Sequence, residues 1–227
     1  MWPEPDVEEG WREEEFNKFV EECKEKYEGK ITNGLFAPWM MFKKAFMDIG
    51  GHDPRFASAR EDSDVFNRLH LAGFELIQSW ESFVYHLTAR GGQFQHGKLT
   101  KDHNQKSEEW QKLMNNSTRE FFRKWGSTVN HDTLMMPIIS PKYDIGFVVK
   151  NCNLNLLNTL EPWCSKIYVD VDWSSYIVNE QPNTTDNLSN KIFSIDTEKQ
   201  NDIIVRFDGS KLTNDSFQFI TKLPLVL

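Results

Sequence analysis

The chain has 227 residues, 39% of them hydrophobic and 26% charged, with a net charge of −8, a mix that buries a core and excludes a disordered polypeptide. The acidic balance and the lack of a long Lys/Arg run argue against nucleic acid as a partner, because such binding relies on neutralising phosphates. No apolar stretch approaches the ~20 residues of a membrane span, the start Met1-Trp2-Pro3-Glu4 lacks a signal-peptide pattern, and three scattered cysteines (Cys23, Cys152, Cys164) fit no zinc spacing, so a cytoplasmic, reducing location is expected.

Residues 1–30 hold eleven acids and five bases, which is −6 of the total −8. Within them Phe16, Phe19, Val20, Cys23 and Tyr27 form one stripe of a helix over Trp11–Tyr27, with acids on the solvated face and Gly29 as its stop. The apolar run Leu35–Phe42 reads as a strand or extended segment, at an edge around Pro38, which interrupts it. Lys43–Ile49 reads as a short helix ended by Gly50-Gly51, and a further helix follows Glu61-Asp62-Ser63-Asp64, with Ser63 or Asp64 as N-cap and Gly73 as C-cap. Phe74–Trp80 and Ser82–His86 read as two strands, and Asn104–Met114 and Thr118–Trp125 as two polar helices.

The texture changes at Gly126. Residues 127–141, with Asn-His-Asp and two prolines, read as a linker. Beyond it come a strand at Tyr143–Lys150, a helix at Leu154–Glu161, and strands at Lys166–Val171, Lys191–Ile195 and Asp202–Phe207. Strand, helix, strand and further strands make a small α/β layer. The expected division is 1–126, a linker at 127–141, and a small α/β domain at 142–227.

Residues able to carry chemistry lie between 34 and 96. Glu61, Asp62 and Asp64 put three carboxylates in four positions at a helix start, where the dipole favours negative charge. Close like charges raise a carboxyl pKa in an enclosed site. One carboxylate can then take a proton while another orients a ligand or faces a metal; the same spacing also serves as a plain acidic helix start. His86 ends an apolar strand beside a glycine loop, a place for a metal ligand or an acid/base, as well as for a structural histidine. Arg90-Gly91-Gly92 could cradle a phosphate or form an ordinary surface loop.

Taken in order, Trp39-Met40-Met41-Phe42-Lys43-Lys44, Ile49-Gly50-Gly51-His52-Asp53-Pro54-Arg55-Phe56, Glu61-Asp62-Ser63-Asp64, Arg68-Leu69, Ala72-Gly73-Phe74 and Val84-Tyr85-His86 resemble the C-terminal half of family 2 glycosyltransferase catalytic domains, the inverting enzymes of GT-A fold. The match covers about residues 30–95. The resemblance implies an α/β fold, a partial GT-A-like unit followed by a second small Rossmann-like α/β segment. It implies transfer of a sugar, of hexosyl type, from a nucleotide-sugar donor to a hydroxyl of a glycan or other acceptor. Asp62 would be the general base, with Glu61 and Asp64 orienting it or the acceptor. His86 would complete the coordination of Mn²⁺ or Mg²⁺ on the donor diphosphate. Gly50 and Gly51 would allow close approach of backbone to substrate, Trp39 would stack on an acceptor sugar, and Arg90 would lie in a segment over the donor.

His52 stands where the family carries an aromatic residue, and only 35 residues precede Phe36, too few for the family's nucleotide-binding half. A partner chain supplying that half is therefore expected. The second part, with Asp170-Val171-Asp172 and a strand ending at Asp208-Gly209, resembles the opening of a GT-A domain, or else is an accessory α/β domain. A non-catalytic carbohydrate-binding or assembly module is the alternative function.

Overall fold

The computed structural model describes residues 12–35, 37–57, 59–85 and 108–227. Helix α1 (Glu13–Lys26) opens on Glu13, Glu14 and Glu15 and closes with Lys24 and Lys26, charges that complement its dipole. Its apolar stripe packs against the segment after residue 79: Phe16 meets Tyr85 edge-on at 5.3 Å between ring centroids, Phe19 meets Phe83 at 5.8 Å, and Tyr27 leans on Trp80 at 5.1 Å.

Strand β1 (Ile31–Asn33) pairs antiparallel with β2 (Ile77–Ser79), Ile31 opposite Ser79. Of the two readings of Leu35–Phe42, strand or extended segment, the second fits: the run turns through a cis Ala37–Pro38 bond, its described residues join no ladder, and the strand of this region is β1, ahead of it. Of the strands expected at 74–86, three residues pair and Ser82–Tyr85 form none. Both differences have one cause: apolar alternation gives strand conformation, but a ladder needs a neighbouring strand.

Helix α2 (Lys43–Asp48) is followed by Gly50 and Gly51 at φ +90° and +69°, a left-handed turn that glycine adopts without a Cβ clash. Helix α3 (Glu61–Leu71) begins two residues before the expected caps: Arg60, itself left-handed at φ +70°, is the N-cap, and its carbonyl accepts the Asp64 N–H at 2.9 Å. Val65, Leu69 and Leu76 form a small core with Trp39, Met41 and Phe46 around it. Where two helices were expected there is one, α4 (Glu108–Trp125). Its polar middle stays helical because Ser117, Glu120, Phe121 and Arg123 are buried together on one side, so packing overrides local propensity. Residues 127–141 double back: Asp132 Oδ1 accepts the N–H groups of Leu134 and Met136, and the Leu134 carbonyl accepts the Leu35 N–H at 3.1 Å.

The remaining chain is an α/β layer with a four-stranded, all-parallel sheet: β3 (Ile145–Lys150), β4 (Lys166–Val169), β5 (Ile192–Ser194) and β6 (Ile203–Asp208), in the order β5-β4-β3-β6. Helices α5 (Leu154–Leu160), α6 (Ser174–Glu180), α7 (Asn214–Thr221) and α8 (Leu223–Val226) accompany it. Central β3 is buried at five successive positions, as expected where both sheet faces are covered. Phe147, Val149, Leu157, Leu160, Ile167 and Leu188 form the heart of this core.

Helix α4 joins the two parts through adjacent residues. Arg123, without exposed side-chain surface, reaches the sheet layer at Glu161 and Glu180, while Lys124 reaches back to Asp53 and Asp64. Glu161, fully buried, collects Arg123 at 3.1 and 2.5 Å, Lys191 at 2.7 Å and the Tyr176 hydroxyl at 2.9 Å. Among the described residues no helix is long and apolar enough to cross a membrane.

Candidate functional site

Helix α3 spreads its three acids over different environments, because successive helical positions turn by about 100°. Asp64 faces inward with no exposed surface. Its carboxylate takes Arg68 Nε at 2.8 Å, Lys124 Nζ at 2.5 Å and Trp125 Nε1 at 3.0 Å. Three donors occupy it, so Asp64 holds α3 to α4 and has no oxygen turned toward a ligand. Glu61 lies one turn before fully buried Val65 on the same face, and its Oε2 is buried with no hydrogen-bond partner among the described residues. Asp62 is exposed. One of its oxygens accepts the Ser63 N–H at 2.6 Å and the Ser63 hydroxyl at 3.3 Å; the other has no partner among the described residues.

The diglycine turn is tied to the same helix. Arg68, oriented by Asp64, donates to the carbonyls of Ile49 at 2.5 Å and Gly51 at 2.6 Å. Gly51 is buried and Gly50 exposed. Asp53, at the start of the following loop, is pushed up by burial, but Lys124 and the Arg55 N–H outweigh this and hold its carboxyl below the usual range. The motif is therefore one hydrogen-bonded unit: turn, loop, helix start and α4 lock together through Arg68, Asp64, Asp53 and Lys124.

Beside this unit lies an open groove of about 430 Å³, lined by Trp39, Met40, Met41, Lys43, Phe46 and His52. Trp39 meets Phe66 of α3 edge-on at 5.8 Å and His52 at 6.5 Å, and His52 stands against Phe46 at 5.1 Å. Phe66 follows Asp62 by one helical turn. The structure thus groups Trp39 and His52 beside Phe66 of α3, while Asp64 is turned to α4; Asp62 is not among the residues that line the groove. His86 and Arg90, expected as metal ligand and donor contact, lie outside the described residues, as does the glycine loop at 91–92.

The other concentration of acids is at the carboxyl edge of the parallel sheet, where β4 and β6 flank β3, the position at which open α/β sheets bind ligands. Here the carboxylates are engaged with their own loops. Asp170 accepts the N–H groups of Asn151 at 2.7 Å and Cys152 at 2.9 Å. Asp172 accepts the Ser174 N–H at 3.0 Å and hydroxyl at 2.7 Å. Asp208 is held at about 2 by hydrogen bonds from the Ser210 hydroxyl, the Asn151 amide and the Ser210 N–H. Asp170-Val171-Asp172 thus stabilises the turns after β3 and β4. Among the described residues no group of three His, Cys, Asp or Glu could hold a metal ion.

Sequence reasoning missed Lys124 and Trp125 as partners of Asp64. They come from a helix 60 positions away and carry no local signal. The Asp64–Arg68 pair did carry one, its i,i+4 spacing on a helix. Compared with known proteins, the chain matches no family model, no curated protein and no solved structure.

Proposed function

We propose that the region around α3 is the acceptor side of a sugar-transfer site, with Asp62 as the base that takes the proton from an acceptor hydroxyl. The observation that carries this reading is the division of labour among the three acids. Asp64 is consumed by Arg68, Lys124 and Trp125, whereas exposed Asp62, one helical turn before the Phe66 that Trp39 packs against, keeps an oxygen unpartnered among the described residues. A general base must reach its proton, and an exposed carboxylate at a rigid helix start meets that requirement. Glu61 lies behind it. The groove offers an aromatic face at Trp39 and polar edges at His52 and Lys43, a combination suited to a sugar ring. Sequence order supplies the rest of the support: the diglycine turn, the acidic helix start and Arg68 occur in the family 2 transferase order, and in the fold they contact one another.

The donor is a nucleotide sugar in this reading. The described residues offer no donor set for the divalent cation that the resemblance implies, so no step is assigned to a metal. The protein's own step is proton removal by Asp62 as the acceptor oxygen attacks the anomeric carbon and the nucleoside diphosphate leaves.

The test is Asp62→Asn in the full chain, assayed by nucleoside diphosphate release from a panel of sugar nucleotides with mono- and oligosaccharide acceptors. Activity should fall by about 10²–10⁴-fold, with the unfolding midpoint unchanged because the side chain is exposed. Full activity in the variant would refute the assignment. Saturable glycan binding in wild type and variant alike, with no turnover in either, would instead support the binding-module reading that the exposed Trp39 groove also accommodates.

A further inference from the structure

The segment Trp39–Phe42 has the side-chain pattern of a strand buried on both faces, yet in the fold it is covered on one. Trp39 and Met41 point inward and pack against the small core of Val65, Leu69 and Leu76. Met40 and Phe42 point outward, 96% and 87% exposed. This in–out alternation is the period of an extended chain, and Phe42, the N-cap of α2, is itself extended at φ −66° and ψ 135°, its carbonyl accepting the Phe46 N–H at 3.2 Å. In a strand with one solvated face the outward positions are polar; an apolar residue at every position marks a strand covered on both sides. Two large side chains left almost wholly in water, next to each other, also exceed what scattered surface hydrophobes account for.

The main chain carries the second, independent observation. Among the described residues, the backbone N–H and C=O groups of Trp39, Met40 and Met41 make no hydrogen bond. The nearest ladder, β1 with β2, has two strands and does not extend to them. A strand-like segment with free main-chain groups is a template for pairing with another strand. Charge then restricts what pairs with it. Lys43 follows at once, exposed and without a partner among the described residues, whereas neighbouring Lys44 is satisfied by Asp48 at 2.7 Å. A second copy of this chain, with its net charge of −8, repels the first.

We propose that Trp39–Phe42 is a strand-addition site for a different polypeptide. The partner contributes an extended segment to the free main-chain groups, apolar side chains over Met40 and Phe42, and a carboxylate beside Lys43. Main-chain hydrogen bonds supply affinity in this mode, and the alternating side chains supply selectivity. The proposal shares Met40 and Lys43 with the groove of the sugar-transfer reading but does not rest on that reading, since its test reads main-chain protection rather than turnover.

The probe is a synthetic nine-residue peptide of alternating valine and threonine with a glutamate at each end, read by amide hydrogen exchange of the full chain. Exchange at Trp39–Met41 should slow by about tenfold or more at saturating peptide. A peptide of the same composition N-methylated at alternate amides should give no protection, and lysine-ended peptide should bind more weakly. The double variant Met40→Asp/Phe42→Asp should lose the protection while keeping its unfolding midpoint, because both side chains are exposed in the fold. No protection by the glutamate-ended peptide overturns the proposal, as does equal protection by the N-methylated one. Protection that grows with protein concentration alone assigns the face to a second copy, and protection by phosphatidylcholine vesicles assigns it to a lipid surface; either result also overturns it.

Discussion

Replacing Glu161 by Gln removes the central anion of a buried network without changing its shape. Glu161 has no exposed surface and accepts from Arg123 and Lys191, themselves 3% and 7% exposed, and from the Tyr176 hydroxyl. Arg123 keeps Glu120 at 2.7 Å and Glu180 at 2.6 Å, but Lys191 has no second carboxylate among the described residues. The variant therefore buries one uncompensated positive charge, a change that costs about 3–5 kcal/mol. Proton linkage gives a similar magnitude. Burial pushes the Glu161 carboxyl up, yet Lys191 and Arg123 overcome this and hold it at about 2 against an ordinary 4.5, which corresponds to roughly 3 kcal/mol. Because the folded value is depressed, this stability is present above about pH 4.5 and is lost as pH falls toward about 2. Urea unfolding followed by circular dichroism at pH 7 should show a lower midpoint for Glu161→Gln at unchanged slope. Between pH 5 and 2.5 the wild type should lose stability more steeply than the variant. Equal midpoints at pH 7, or parallel pH profiles, would refute the view that this network fastens α4 to the sheet layer.

Asp64→Asn should lower stability by about 2–4 kcal/mol, since it weakens the bonds of a buried carboxylate to three partly buried donors at once; a variant with wild-type melting but no transfer activity would return Asp64 to the reacting groups. Gly209→Ala should destabilise by about 1–3 kcal/mol, because a Cβ there would stand 2.4 Å from Leu156 Cδ2 and 3.1 Å from the Asn151 carbonyl; an unchanged urea midpoint would contradict that close approach. Burial, aided by Asp170, pushes the Cys152 thiol up to about 11, and burial pushes the Cys164 thiol up to about 12, so at pH 7.5 a disulfide reagent should label Cys23 well ahead of both. Rapid labelling of Cys164 in the folded protein would show that its core opens.

Much of the local structure was legible in the sequence because it depends on near neighbours. The stripe Phe16, Phe19, Val20, Cys23, Tyr27 gave α1, the glycine pair gave the turn after α2, and the succession of strand and helix after residue 142 gave an α/β layer. What failed was whatever required a partner. Leu35–Phe42 has strand periodicity but, among the described residues, no strand beside it, and the break expected inside α4 closed because Ser117, Glu120 and Arg123 found buried neighbours. The parallel pairing and the order β5-β4-β3-β6 were likewise not in the pattern, since alternation says which residues face inward and not which strands meet.

The candidate site divides in the same way. The sequence by itself determined that three carboxylates crowd one helix start and that glycine and arginine flank it at family-like spacing. Only the tertiary structure decided which acid is free. Asp64 and Asp62 are two positions apart and chemically alike, but α4 brings Lys124 and Trp125 to one and not to the other. A carboxylate's role is set by the charges and donors around it, and those arrive from residues that chain order places far away.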